Sequence, residues 1–592
     1  MLFYAIMLNR TRPYWNIIAL ILVALSYLLI AYTLPKAVFW SPDEGAKFLH
    51  LQTLLGWQGG MVYQPPYPGR YLDPTYQFYP QHAIYPKPLA HGQVLFHWPI
   101  WFPLLTIAPF NLFGTSGLYL IPLLSGWLIA WLTGKITHTF SEIASPLAIL
   151  AVGLTTPMFF YSLLFWEHTL VVLLGLAALW QALELNPSQP RRATLGVALF
   201  LLITVALRPE MFFYAFALLM AVAWGLRPQS FPKPDKFLNP IKSKLGKVTL
   251  FSVIIISLFS LGELPQVLAW SMQQGFINAR HNETVDVFLR LAESQNFWFN
   301  FPTHLRNIWV NNEANAGPVV PFPLSWLGLV GLLIAISAIF TPPTTRLGLW
   351  SLSSLLMALV SYYILFLPDR YRLIHAFFLP APYLLLAMSI WTEKSTSFRF
   401  NLLTHTTFSY LFLGTLATML RQGETLINPE WGARYLLMLY PLLVICASVG
   451  IVQFYHTLTA SWQKQLIIGL TLLLLALGFG YEQRGIQEIR QTKRDWLALA
   501  RAVAKIKQPI LTDFEWLPSI LAIQYVNREM YIMVERDNLN QWLTLAKPHT
   551  DSFVFMSFFL LETDLIDQAQ PPIIMQNSYI AGGMNFTEFK FK

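Results

Sequence analysis

The stretch Ser41-Pro42-Asp43-Glu44-Gly45 follows directly on the first long apolar run, Trp15 to Leu34, and its reading decides how the chain is laid out. If the apolar run crosses a membrane, two adjacent carboxylates stand where the span meets water. Acidic groups at that boundary are costly unless solvated or paired, which makes such a pair a candidate functional site. The alternative is a solvated loop around a Pro-Asp-Glu turn.

The rest of the chain supports the membrane reading. Of 592 residues, 55% are hydrophobic, 15% aromatic and only 12% charged, a balance that excludes a soluble globular protein of this size. Apolar runs of roughly 16 to 22 residues recur, the length that carries a helix across about 30 Å of hydrocarbon. The formal net charge of +9 therefore speaks of orientation and anionic headgroups, and no nucleic-acid partner is expected. The single cysteine, Cys446, lies inside an apolar run and allows neither an intrachain disulfide nor a cysteine metal cluster. Arg10 and Arg12 precede the first run as in a signal peptide, but the run ends in Tyr32-Thr33-Leu34-Pro35 without small residues suited to cleavage, so it reads as a retained span.

Residues 35 to 94 are rich in Pro, Tyr and Gly and cannot hold one unbroken helix. The apolar segment 95–113 is punctuated by Pro99, Pro103 and Pro109 and carries Trp98 and Trp101, which suits a helix lying on the membrane. On that reading the further spans fall near 117–135, 144–161, 169–185, 194–207, 211–226, 249–268, 323–341, 348–367, 373–391, 402–420, 435–455 and 466–481, about 13 with the first. Loops on the side of Arg10 and Arg12 then hold the basic cluster from Arg227 to Lys247, as the positive-inside rule requires; a crossing 95–113 segment would export it. The N-terminus is expected in the cytoplasm of a plasma (inner) membrane protein.

The expected fold is a polytopic α-helical membrane domain over 1–481, with outer loops at 35–116 and 269–322, and a small extracytoplasmic soluble α/β domain over 482–592. In the latter, 484–507 reads as an amphipathic helix, and 509–513, 530–534 and 552–556 as strands. No site signature marks this tail, which fits packing or acceptor docking.

This topology gathers the chemistry-capable residues on the outer face. Glu167 and His168 stand where a span emerges, and Arg208-Pro209-Glu210 is a charged, proline-broken turn between two spans. Arg370, Arg372 and Arg434 stand at the outer starts of spans, the last beside Tyr435. Three arginines on the leaflet where positive charge does not usually collect favour a phosphate site, because the guanidinium fork matches phosphate oxygens; the alternative is snorkelling. His91 and His97 could join Asp43 or Glu44 on a divalent metal or serve as hydrogen-bonded loop residues. No HExxH, cysteine pair or phosphate loop with lysine occurs.

An acidic pair after the first span, an interfacial segment before the second, many spans and an outer soluble tail together resemble the GT-C glycosyltransferases. That group uses polyprenyl-phosphate-linked sugars and includes protein O-mannosyltransferases and the lipid A aminoarabinose transferase. The resemblance covers the first 225 or so residues best. It rests on Asp43-Glu44, on His97-Trp98-Pro99 with the apolar stretch ending in Phe113-Gly114, on Glu167, and on Arg434-Tyr435 followed by Pro441. Trp166-Glu167-His168 stands where relatives often show an Arg-Asp type pair. The resemblance implies an inverting transfer of a sugar from a polyprenyl-phosphate donor to a hydroxyl of a glycan, lipid or protein. Asp43 would be the base, Glu44 and Glu167 would orient acceptor or metal, Arg370, Arg372, Arg434 and Tyr435 would hold donor phosphate, and His97, His168, Arg208 and Glu210 would support. Two alternatives stay open: an O-antigen ligase or polymerase type of enzyme using Arg280, His281, Arg290, His304 and Arg306 of the 269–322 loop, and a transporter of lipid-linked saccharide, against which no inverted repeat is found.

Overall fold

The structure is a computed structural model that describes residues 14–56, 65–79, 87–88, 94–95, 99–185, 190–225, 313–314, 317–318, 322–338, 341, 343–366, 377–392, 397–422, 434–533, 538–558, 566 and 569–592. Outside these lie His91, His97, Arg370, Arg372, the expected span 249–268, the basic cluster 227–247 and the basic and histidine residues of the 269–322 loop. The chain divides into two compact units. The first comprises Met1–Tyr32, Ile121–Leu264 and Glu283–Glu488; the second comprises Thr33–Leu120, Pro265–Asn282 and Ile489–Lys592.

The first unit is helical. Tyr14–Thr33 buries Ala19, Val23, Tyr27 and Ala31, a ridge at four-residue spacing, while Ile17, Leu25, Leu28 and Leu29 face outward. A helix apolar on its exposed side as well as its packed side is built for hydrocarbon, and the protein is an integral membrane protein. Among the described residues, four helical runs are long and apolar enough to cross a bilayer: Tyr14–Thr33, Trp101–His138, Leu439–Thr457 and Ser461–Val503. Shorter apolar helices stand at most of the other expected positions, including Ala144–Leu154, His168–Leu183, Leu327–Ala338 and Gly348–Tyr363.

Three boundaries differ from the sequence expectation. The 144–161 stretch breaks at Thr155, where Thr155-Thr156-Pro157 ends the helix before a short second one, Met158–Ser162. The described part of 373–391 holds bends and then a 3₁₀ helix, Pro382–Thr392, rather than α-helix. The last span and the helix expected over 484–507 are continuous, one 43-residue helix from Ser461 to Val503, because Glu482 to Val503 contains good helix formers and no proline, and its one glycine, Gly485, stays helical.

The second unit joins the segment after the first span to the C-terminal residues. A five-stranded sheet is built from β1 (Ile510–Thr512), β2 (Met530–Ile532), β3 (Ser552–Ser557), β4 (Ile573–Ala581) and β5 (Met584–Phe591), in the order β2-β1-β3-β5-β4. β1 lies parallel between β2 and β3, and the β4–β5 hairpin adds antiparallel to β3. The three expected strands are present; the hairpin is additional, turned by Gly582 and Gly583, both at positive φ. The Trp101–Phe113 helix is about 20 Å long, short of a bilayer's roughly 30 Å of hydrocarbon, and ends at Gly114 with φ +58°.

The segment entering the Pro42–Leu55 helix is held by the C-terminal residues. Arg490 Nη2 donates to Thr33 Oγ1 (3.2 Å), Gln524 Nε2 to Ala37 O (3.3 Å), and the Phe39 amide to Ile520 O (3.3 Å). At Gly45 the helix backbone touches the next element directly: a Cβ there would stand 1.7 Å from Ser519 O. Gly45→Ala must therefore push the helix off the Leu517–Ile520 turn, with an expected cost of about 1–3 kcal/mol or more. Thermal unfolding of the purified protein measures it, and an unchanged midpoint would contradict this packing.

Candidate active site

Asp43 and Glu44 sit in the first turn of the Pro42–Leu55 helix. Ser41 is the N-cap, extended at φ −129° and ψ 157°; its hydroxyl accepts from Glu44 N (3.4 Å). The Glu44 carboxylate reaches back to accept from Trp40 N (2.7 Å) and Ser41 N (3.2 Å). This is a capping box, with Pro42 supplying a preset φ and no orphan amide. Glu44 is fully buried and its Oε2 is taken up by the cap, whereas Asp43, one residue earlier, is half-buried. The two adjacent carboxylates thus have different environments. Two carboxylates on a helix N-terminus gain from its dipole and stay compatible with the same turn.

His50, on the same helix, is pushed down to about 3 by burial and stays neutral, so it offers no proton at working pH. Lys36 is drawn down to about 8, first by burial and then by the charge of Lys493, with Glu44 opposing. Asp73, invisible as a site in the sequence, is completely buried. It accepts from Tyr67 Oη (2.8 Å), Gln77 N (2.9 Å) and Phe78 N (2.8 Å), which makes it the anchor of the 65–79 loop. The Phe78 carbonyl in turn accepts from Ile532 N (2.8 Å) of β2.

In the first unit, three helix-entry turns bring together six of the residues singled out in the sequence. Arg208 is extended (φ −146°, ψ 102°) because Pro209 disfavours α geometry before it, and Pro209 then opens a 3₁₀ turn. Arg208 and Glu210 are thereby turned side by side and form an ion pair, Nη2 to Oε1. Arg208 Nη1 also donates to Glu167 Oε1 at 2.8 Å, from the residue that precedes the His168–Leu183 helix. Burial by itself lowers the guanidinium's pKa; the charges of Glu210 and Glu167 outweigh it and hold it protonated, above its ordinary value.

Arg434 opens the 3₁₀ turn before the Leu439–Thr457 helix. Its Nη2 donates to Tyr435 Oη (3.0 Å), and its guanidinium lies 5.3 Å from the Trp166 ring centroid and 5.2 Å from that of Tyr435. Arg208 approaches the same Tyr435 ring at 5.9 Å. Both guanidinium groups therefore lie within 6 Å of one tyrosine ring, an approach favoured by the ring quadrupole. His168 stacks against Tyr161 (5.2 Å) and Trp166 (4.9 Å), completing an aromatic wall. Glu167, His168, Arg208 and Arg434 are buried, whereas Glu210 and Tyr435 are partly exposed, so the cluster opens at these two residues. Trp166 was legible only as part of a polar triplet; its role as a cation-binding face follows from the 434 turn, which is distant in sequence.

Among the described residues, no group of three or more His, Cys, Asp or Glu is placed to hold a metal ion. The residues define a class: a helical membrane protein with a buried, charge-paired and aromatic-walled site at its helix-entry turns. No family model and no curated protein matches the chain. Among solved structures it is similar to ArnT from Cupriavidus metallidurans in the apo state, at 11% identity and a TM-score of 0.47, covering 96% of this chain and 97% of that one. It is also similar to the archaeal oligosaccharyltransferase AglB from Archaeoglobus fulgidus in complex with an inhibitory peptide and a dolichol-phosphate, at 10% identity and a TM-score of 0.43, covering 92% of this chain and 69% of that one. Both are GT-C superfamily members, the group the sequence resembles. With TM-scores below 0.5, the likeness carries neither activity nor residue roles across.

Proposed function

We propose that the protein is an inverting membrane glycosyltransferase that moves a sugar from a polyprenyl-phosphate donor to a hydroxyl acceptor on the extracytoplasmic face. The observation that carries this reading is the cluster in which the buried Arg208, Arg434 and Glu167 meet the partly exposed Tyr435 and Glu210. A sugar on polyprenyl phosphate already has a good leaving group, and what the reaction needs is stabilisation of the phosphate charge that grows as the C1–O bond breaks. Guanidinium groups fixed in a site from which water is largely excluded supply that without reorganising. Arg208 is held by its two carboxylates, and Arg434, with its planar fork on the Tyr435 side of the cluster, is assigned to the donor phosphate, with Arg370 and Arg372 as further candidates.

Asp43 is assigned as the base. As the acceptor oxygen attacks the anomeric carbon, its proton passes to the Asp43 carboxylate, the new C–O bond forms, and the electron pair of the old one leaves on the polyprenyl phosphate. A single displacement inverts the anomeric centre. Glu44 shapes the turn that presents Asp43, Glu167 and Glu210 orient Arg208, and His168 supports the aromatic wall. A divalent metal is not required by these steps.

The test is donor use by Arg434→Lys. Lysine keeps the charge and loses the two-pronged fork, so loss of a charge-assisted hydrogen bond of about 1.5–3 kcal/mol is expected, roughly ten- to hundredfold in kcat/KM. Lys464→Ala, at the start of the Ser461–Val503 helix, should leave turnover within about twofold. Equal effects from both substitutions would remove the phosphate site.

A further inference from the structure

The sheet of the second unit runs β2-β1-β3 through its parallel part, so the chain leaves β1 for β2 on one side and leaves β3 for the hairpin on the other. Where connections part in this way, the carboxyl ends of the two strands frame the crevice in which open α/β sheets bind ligands. Asp513 follows β1 directly and is exposed, and its Oδ2 accepts from Oγ of Ser557, the last residue of β3, at 2.7 Å. That bond sets the direction of the carboxylate and leaves Oδ1 for a further donor. Aromatic rings stand beside it. Phe558 is 42% exposed, and its carbonyl accepts from Asn585 Nδ2 (3.1 Å) near the start of β5. Its ring meets Phe514 edge to face at 4.8 Å, and Phe514 is stacked at 6.5 Å on Trp496 of the long terminal helix. The Phe514 amide donates to Thr512 Oγ1 (3.1 Å), which fixes the turn after β1.

A held carboxylate next to held rings suits a neutral sugar. The C–H face of a pyranose packs on aromatic surface while its hydroxyls donate to the carboxylate. A lipid chain or an apolar peptide would cover Asp513 without giving it a partner, and the desolvation works against binding. We propose that Asp513, Phe514 and Phe558 form a saccharide subsite that holds a sugar unit of the acceptor; the acceptor role rests on the glycosyltransferase reading, whereas sugar binding stands apart from it. The position fits that role. Leu517 N donates to Phe514 O (3.1 Å) at the start of the Leu517–Ile520 turn, and the helix of Asp43 packs on that turn at Gly45. Among glycan, lipid and protein acceptors, the subsite selects one that already carries sugar.

The test uses the full chain in nanodiscs free of glycosidic detergent, whose headgroups would compete. Methyl glycosides of glucose, galactose and mannose are titrated and read by saturation-transfer NMR, and at least one should bind. Asp513→Asn, which keeps an acceptor for Ser557 but loses the charge, should weaken that binding about tenfold or more. Phe558→Ala should weaken it about three- to tenfold. Asp551→Asn, an exposed carboxylate at the amino end of β3, should bind like wild type. Failure of all three glycosides to bind overturns the proposal, and so does binding that both substitutions leave within about twofold of wild type. Binding of Nα-acetyl-lysine methylamide in place of the glycosides would make this a site for a cationic peptide and overturns it as well. Asp43→Asn, which should bind the glycosides like wild type, separates the two levels. If Asp43→Asn still transfers, the base assignment falls while Asp513-dependent sugar binding keeps the subsite. If transfer is lost in Asp43→Asn but acceptor KM in Asp513→Asn stays within about twofold of wild type, the subsite's acceptor role falls and the transferase reading stands.

Discussion

Asp43→Asn is expected to abolish sugar transfer while leaving donor binding close to wild type. The amide has the shape of the carboxylate but cannot accept a proton, and a positioned general base contributes about 10²–10⁴-fold. Asp43 occupies the second position of a helix whose cap is closed by Ser41 and Glu44, so the substitution leaves the turn standing. The donor phosphate is assigned to arginines, so its affinity should not follow the change. The measurement pairs a donor-binding isotherm with a transfer assay on the same preparation. Transfer within a few-fold of wild type, about 1 kcal/mol or less of barrier, would make Asp43 a structural residue and remove the mechanism built on it.

The membrane class was legible from the apolar runs, because their lengths answer to bilayer thickness and little else. Two local devices were missed although the residues carry their signals. Ser41-Pro42-Asp43-Glu44 carries the Ser-x-x-Glu spacing of a capping box with proline at the first helical position, which identifies a helix start rather than a solvated turn. Gly582-Gly583 between two β-prone runs spells a two-residue hairpin. What could not be read is the pairing of turns. Glu167, Arg208 and Arg434 were each visible as outer-face charges, but their convergence on Tyr435 and Trp166 depends on how four helices pack, and periodicity is silent on that. Lys493 was hidden for the opposite reason: in a mixed-charge helix a lysine reads as solvated, and only the tertiary contact with Tyr119 shows it to be buried. The break expected between the last span and the 484–507 helix is absent: hydropathy falls at 481, but no proline interrupts the backbone, which continues as helix through Gly485.

Removing Arg208 is expected to have the largest effect on stability, and the reason separates the site from ordinary surface charge. Its side chain is 5% exposed and that of Glu167 3%, whereas Arg399 and Glu184 form a 3.3 Å pair with 45% and 42% of their side chains in contact with solvent. The chemistry of the two pairs is the same; what differs is the cost of the partner left behind. Arg208→Met takes from Glu167, 3% exposed, and Glu210, 15% exposed, the guanidinium that pairs with both, and breaking a buried pair from one side costs about 3–5 kcal/mol. Arg399→Met leaves a glutamate that water can solvate, and such exposed pairs contribute about 1 kcal/mol or less. Unfolding of both variants in mixed micelles should therefore differ by several kcal/mol, with the Arg208 variant also inactive. Glu210→Gln combined with Arg208→Met should recover part of the lost stability, since one stranded charge is removed, but none of the transfer, since the guanidinium is still missing. Equal destabilisation by Arg208→Met and Arg399→Met would show that the cluster is open to water, and an open cluster could not stabilise a departing phosphate in the way proposed.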